Sequence, residues 1–252
     1  MSGENKSLDL LGIKGISDAV RIATERFIDG AAAFLSRVCL PAAEELGLAL
    51  KDRVSAWRAK NAVRMLSTAN DMLLAQQPDT HDQIHPRLVH VAIEEASWTD
   101  EDAVQRMWAG LLASATSPRG QSDENLIFMN ILRQLSSLQV RILNYAVATA
   151  PKYAGQRGLP IPGRLRVPTE NLSALFAVDD LQRLDRELDH LRELGLIGFG
   201  QGGGIDAEGD ETDLTPTPLA LHLYVRSQGS KLSAVDFWTL KPWRENVNDK
   251  TG

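Results

Sequence analysis

Three histidines, His81, His85 and His90, fall four and five residues apart, with Asp82 and Glu94 close by in the chain. Imidazole and carboxylate groups at short spacing are the ligands a zinc site uses. Here His81 and His85 lie in the proline-bracketed stretch QQPDTHDQIHPR, and the chain has no HExxH and no CxxC. Solvent-facing or capping histidines are therefore the reading, and no metal is expected. A second group is acidic: Glu94, Glu95, Asp100, Glu101 and Asp102. Carboxylates do acid–base work beside a nucleophile or an oxyanion donor, and neither is identifiable here. Acids before and within a first helical turn complement the helix dipole. The run Gln201-Gly202-Gly203-Gly204 lacks the helix opening with Lys-Ser/Thr that a phosphate loop requires, so it reads as a flexible hairpin tip. No catalytic residue and no cofactor are expected, and the chain is read as a non-enzyme.

Two basic groups remain. Lys51, Arg53, Arg58, Lys60 and Arg64 stand against Asp52 alone in the segment 51–64, with Trp57 among them. One reading is a solvated helix face. The other is contact with an acidic partner, nucleic acid or anionic lipid, with Trp57 as the apolar anchor. Further on, Arg183, Arg186, His190 and Arg192 lie on the helix LQRLDRELDHLRELG, interleaved with Asp185, Glu187, Asp189 and Glu193. Asp206, Glu208, Asp210, Glu211 and Asp213 follow it. Acids brought near phosphates cost binding, so protein contact is favoured over nucleic acid on this surface. A net charge of −6 points the same way.

The elements that must position these groups are mostly helices. Residues 16–40 carry Ile16, Val20, Ala23, Phe27, Ala31, Phe34 and Val38 at one-sided helical spacing. Pro41 opens a second long helix over 42–75, with a stripe through Leu46, Leu50, Val54, Trp57, Met65, Ala69 and Met72. Helices at about 86–97, 100–116 and 125–134 follow. Thr99 is read as N-cap of the second of these, whose face Met107, Leu111 and Ala115 is flanked by Trp108 and Leu112. Trp108, Leu111 and Leu112 are read as structural core. No part of 1–134 alternates with period two, so this half reads as all-α.

After 134 the pattern changes. Ser136 or Ser137 caps LQVRILNYAVATA, and KYAGQRGLPIPGRLRVP reads as a connector. NLSALFAV and the helix 181–194, stopped by Gly195, come next. Residues 196–199 and 213–215 read as paired strands, and Pro218 opens a last helix. Three helices, a hairpin and a closing helix are the order of a winged helix-turn-helix. The fold class is therefore mainly α: a helical N-terminal domain with two long amphipathic helices, then a winged-helix-like domain with a short β-hairpin. The segments are 1–40, 41–134, 135–230 and a polar tail, 231–252.

A composition of 43% hydrophobic and 24% charged residues over 252 is ordinary for a globular protein. The single cysteine, Cys39, sits among Leu35, Val38 and Leu40, which suits a buried thiol and a reducing compartment. MSGENKSLDLLG has no apolar signal-peptide core, and Asp29, Arg37, Glu44 and Glu45 break the most apolar region. No transmembrane segment is expected, and the location is read as cytoplasmic. Peripheral membrane contact through 16–40 and 51–64 stays open. So does pairing with another copy through Phe27, Phe34, Trp57 and Met65.

Three stretches carry a resemblance: PAAEELGLALKDRVSAWRAKNAVRMLSTAN, EEAS…DEDAVQRMWAGLLASA and LRQLSSLQVRILNYA. Together they resemble the abortive-infection alpha family of bacterial proteins over about residues 40–225. The resemblance implies a cytoplasmic protein connected with phage resistance, through death or arrest of the infected cell, and a protein partner or phage component that it meets. It supplies no catalytic residues.

Overall fold

The computed structural model describes residues 29–38, 56–77, 82–198, 205 and 210–242. Cys39, Lys51, Arg53, His81, the glycine run 201–204, and all of 16–40 before Asp29 lie outside the described residues. The chain is mainly helical, with short antiparallel two-stranded sheets. It divides into two compact units, 1–133 with 226–231, and 134–225 with 232–252.

The first unit holds helices α1 (Ala56–Ala75), α2 (Pro86–Ala96), α3 (Asp102–Ala113) and α4 (Leu126–Leu132). Residues 29–38 are helical too, with Ala31, Phe34, Leu35 and Val38 buried. A two-residue ladder pairs β1 (Asp82–Gln83) with β2 (Ser117–Pro118). This corrects the all-α reading of 1–134; strands of such length leave no period-two signal to read.

Helix α3 is buried more completely than one apolar face implies. Val104, Gln105 and all of Met107 to Ala113 are buried, with Trp108 only 2% exposed and Leu111 and Leu112 at 0%. A helix apolar around most of its girth belongs at the centre of a unit. Its main neighbour is α1, which buries Ala62, Val63, Met65, Leu66, Ala69 and Leu73. That face is wider than the predicted stripe, and Trp57 at its start is left 44% exposed.

Gly110 explains how the chain closes on α3. A Cβ at this position would overlap the Ser227 carbonyl and come within 2.9 Å of the Gly229 amide nitrogen. Glycine inside a helix costs about 1 kcal/mol against alanine, and here it admits a passing backbone. The Ser114 hydroxyl donates to the Arg226 carbonyl at 2.9 Å, and the Gln76 side-chain amide donates to the Gly229 carbonyl. Arg226 pairs with Glu124 at 2.9 Å and Lys231 with Asp82 at 2.7 Å.

The second unit begins with α5 (Ser137–Thr149) and a hairpin of β3 (Lys152–Ala154) and β4 (Pro160–Pro162). Then come β5 (Arg166–Pro168), the short α6 (Leu172–Phe176) and α7 (Leu181–Glu193). β6 (Glu211–Asp213), α8 (Pro218–Ser227) and α9 (Ala234–Phe237) complete it, the end of α8 passing into the 226–231 segment of the first unit. Gly195, at φ +68°, closes α7: its amide reaches the Arg192 carbonyl and that of Leu196 reaches Leu191, both at 2.9 Å.

The expected strand pair is corrected. β6 pairs with β5, Val167 opposite Thr212, and among the described residues 196–198 meet the returning chain further on, Ile197 bridging Pro216 with the Gly198 amide on the Thr215 carbonyl at 2.7 Å and the Thr217 amide on the Leu196 carbonyl at 3.0 Å. Gly198, at φ +75°, turns the chain immediately after that bridge. The connector 152–168 contains β3, β4 and β5, which its prolines and glycines mask. Residues 231–242 are not a plain polar tail: Ser233 caps α9, and Trp238 stacks on Tyr224 with centroids 5.9 Å apart.

Removing the α3 core should be costly. Trp108→Ala is expected to lower stability by about 3–5 kcal/mol. Gly110→Ala, which adds a single methyl, is expected to cost about 1–3 kcal/mol by overpacking. Urea unfolding checks both, as a lowered midpoint at unchanged slope.

Candidate functional site

Arg58, Asn61 and Arg64 recur every third residue and therefore share one face of α1. That face grips the turn between α2 and α3. The Arg58 Nε and Nη2 atoms donate to the Ser97 hydroxyl oxygen at 3.0 and 2.8 Å. Nη2 also lies 3.0 Å from a Glu94 carboxylate oxygen, and the guanidinium sits 3.8 Å over the Trp98 ring. Asn61 Nδ2 donates to the Ser97 carbonyl at 3.2 Å. Arg64 reaches the Asp102 carboxylate at 3.0 Å and the Asp100 carbonyl at 2.7 Å. From α3, Gln105 Nε2 donates to the carbonyls of Ala96 and Thr99 at 2.6 and 2.7 Å.

Thr99 is consequently not the N-cap. Glu101 holds that position without a side-chain bond, and the Thr99 hydroxyl accepts the Glu101 amide at 3.2 Å. The turn's carbonyls face Arg64 and Gln105, so helix geometry starts at Asp102, later than the acids suggest.

This geometry decides what each predicted residue can do. The Arg58 side chain is 11% exposed and that of Arg64 27%, both engaged within the unit. Lys60 and Trp57 face solvent. Glu94 and Asp102 serve as counter-charges to these arginines. Trp98, which the sequence reading passed over, is 60% exposed beneath Arg58, its Nε1 donating to Glu94 at 3.3 Å. Its one signal was a tryptophan set in a polar turn. His85 Nδ1 accepts the Arg87 amide at 3.2 Å, capping α2, and His90 is exposed. Among the described residues, no group of three histidine, cysteine or acidic side chains is placed to hold a metal.

In the second unit, an open pocket of about 490 Å³ is lined by Gln139, Arg183, Arg186, Glu187 and His190. The α7 members fall at i, i+3, i+4 and i+7, one face of the helix, adjacent to the face of the buried Leu184, Leu188 and Leu191. Ser136 and Gln139 form a capping box at the start of α5, the Gln139 Oε1 accepting the Ser136 amide at 2.9 Å. That bond fixes the amide's orientation. Its Nε2 then donates to the Glu187 carbonyl at 3.2 Å and faces His190 Nδ1 at 2.9 Å. Nδ1 must accept, so Nε2 of His190 carries the ring proton. Glu187 accepts the Ser136 hydroxyl at 2.7 Å and has Arg183 Nε at 3.9 Å. The structure thus brings Arg183, Arg186 and His190 together and leaves out Arg192. That side chain lies 3.6 Å from Asp189 and donates to the Asp213 carbonyl at 3.5 Å. Gln139 and Glu187 are the pocket members the sequence reading missed as a site; the capping-box spacing Ser136–Gln139 was the available signal. Elsewhere in this unit, burial pushes the Lys152 amine below its usual range while Nζ donates to the Ala150 carbonyl at 2.8 Å.

Fold and site together define a mainly helical protein of two units, in the first of which Arg58 and Arg64 pair with Glu94 and Asp102. The abortive infection alpha family matches residues 60–228, well over half of the chain. The chain belongs to that family. No curated protein and no solved structure matches it.

If Arg58 is a clasp rather than a free cation, Arg58→Met should cost about 1.5–3 kcal/mol through lost charged hydrogen bonds. Lys60→Ala, on the exposed side, should stay within about 0.5 kcal/mol. Parallel urea titrations of the two variants check the contrast.

Proposed function

We propose that this chain is a bacterial anti-phage protein of the abortive-infection type that acts in the cytoplasm without catalysis, through contact with a protein partner. Membership of the abortive infection alpha family carries the defence role. The non-enzymatic reading is supported by the arrangement around residues 94–102, where Glu94 and Asp102 are paired with Arg58 and Arg64 and no nucleophile stands beside the acids. What this region offers outward is Trp98 at 60% and Trp57 at 44% exposure, with Lys60 close to Trp57 in the chain and Arg58 over the Trp98 ring. Exposed tryptophans near cations are the groups that anchor protein partners.

The alternatives draw less support. A membrane effector would use the apolar face of 16–40, yet its described part has Phe34, Leu35 and Val38 buried within the chain. Among the described residues no helix is long and apolar enough to cross a membrane. Pairing of copies through Phe34 and Met65 meets the same objection, since both are 0% exposed. The order α5, β5, α6, α7, β6, α8, with β5 paired to β6, suits a winged helix, and we read it as one. Acids interleave with the arginines of α7, which favours protein over DNA on that surface.

The test is a phage challenge of cells with and without the gene, combined with cross-linking during infection. Trp57→Ala and Trp98→Ala are each expected to reduce protection and partner capture while shifting stability by no more than about 0.5–1 kcal/mol. Turnover of a nucleic acid, nucleotide or ester by the purified protein would refute the non-enzymatic reading.

A further inference from the structure

We propose that the pocket between the start of α5 and α7 is a binding site for a small phosphate monoester of nucleotide size. Its volume of about 490 Å³ falls in the range of small-molecule sites. The donors converge from one helix face. Arg186 is exposed and has no ion pair or hydrogen bond among the described residues. Among the described residues the Arg183 guanidinium is held only by the long 3.9 Å approach to Glu187, so most of it is available. His190 contributes a third donor. Its Nδ1 faces the Nε2 of a Gln139 amide whose orientation the capping box sets, and with Nδ1 accepting there the ring proton sits on Nε2. Gln139 is 3% exposed, which makes it a rigid support for that imidazole.

The arrangement selects the ligand. Two guanidinium groups and an imidazole N–H, at i, i+3 and i+7 on α7, approach an anion from several directions. A tetrahedral phosphate, with three free oxygens, accepts from several directions, whereas a carboxylate accepts within one plane. Glu187 lies on the same wall, with Asp185 and Asp189 on the same helix. Those acids penalise a polyanion, which needs a continuous cationic track. One phosphate carrying a neutral body with hydroxyl or amine donors avoids that penalty, because the body can donate to Glu187. The inference stands apart from the protein-contact reading, since it concerns a ligand and not a partner.

Titration calorimetry on the full chain tests it, with AMP as the probe and inorganic phosphate, succinate and a mixed-sequence single-stranded oligonucleotide beside it. AMP is expected to bind, inorganic phosphate more weakly, and succinate and the oligonucleotide least. Arg186→Ala is expected to weaken AMP about 10–100-fold, the loss of a charge-assisted hydrogen bond expressed as affinity. Its unfolding midpoint should not move, because the side chain has no partner to lose among the described residues. His190→Phe, which keeps the ring and removes the donor, should weaken AMP as well. Arg133→Ala, an exposed arginine outside the pocket, should leave binding unchanged. The proposal is overturned by AMP failing to bind, by equal affinity in the wild type and Arg186→Ala, or by succinate matching AMP. An oligonucleotide that binds more tightly than AMP, with steep salt dependence, would also overturn it and make the face a nucleic-acid track.

Discussion

The first unit depends on a clasp: three side chains on one face of α1 hold the backbone of the turn between α2 and α3. Arg58, Asn61 and Arg64 together take the Ser97 hydroxyl, the carbonyls of Ser97 and Asp100, and two carboxylates. A turn of this kind exposes carbonyls that helices cannot satisfy, and leaving buried ones unpaired costs about 1–3 kcal/mol each. Gln105 reaches the remaining carbonyls of Ala96 and Thr99 from the other side. With the turn fixed, α3 can enter the unit at an angle that buries nearly its whole girth. Trp108 and the Leu111–Leu112 pair are then core because the turn before them cannot shift.

The close approach at Gly110 follows from the same geometry. Once α3 is central, the chain that returns at 226–231 has to pass it at backbone distance, and only a residue without Cβ allows that. Ser114, one turn further on, accepts the Asn125 amide at 2.9 Å and donates to the Arg226 carbonyl, so the return is held by hydrogen bonds and not by contact alone. The Trp-Ala-Gly-Leu-Leu run is thus a packing device. The groups that look chemical, Glu94, Asp100 and Asp102, surround it because the clasp needs acceptors.

Helix order and the core identity of Trp108, Leu111 and Leu112 were legible in the sequence, because apolar spacing over a dozen residues survives without tertiary knowledge. The clasp was not. Arg58 and Arg64 read as one dense basic surface with Lys60, and nothing in a single sequence separates a cation that faces a turn from one that faces water. The difference lies in the acids at Glu94 and Asp102, more than thirty residues away. Strands were missed for a related reason. β3 and β4 are three residues each, and β4 begins and ends in proline, so their pairing is set by the hairpin and by neighbours, not by local preference.

The two units use their charges in opposite ways. In the first, the arginines of α1 lie inside a lattice of carbonyls and carboxylates, so their side chains are largely covered. In the second, a similar density of charge along α7 leaves Arg186 outward and without a partner among the described residues. Glu187, the carboxylate that follows it in the chain, is engaged instead with Ser136 and Arg183. Helix α7 owes its position to Leu184, Leu188 and Leu191, which are wholly buried, and to the bonds that Glu187 and His190 make with Ser136 and Gln139; Arg186 adds nothing to that hold among the described residues. Exposed ion pairs are worth about 0–1 kcal/mol, so stability alone gives little reason for the Arg183 and Arg186 guanidinium groups to lie beside that imidazole. Where charges converge without a stability role, recognition is the remaining physical reason for their arrangement.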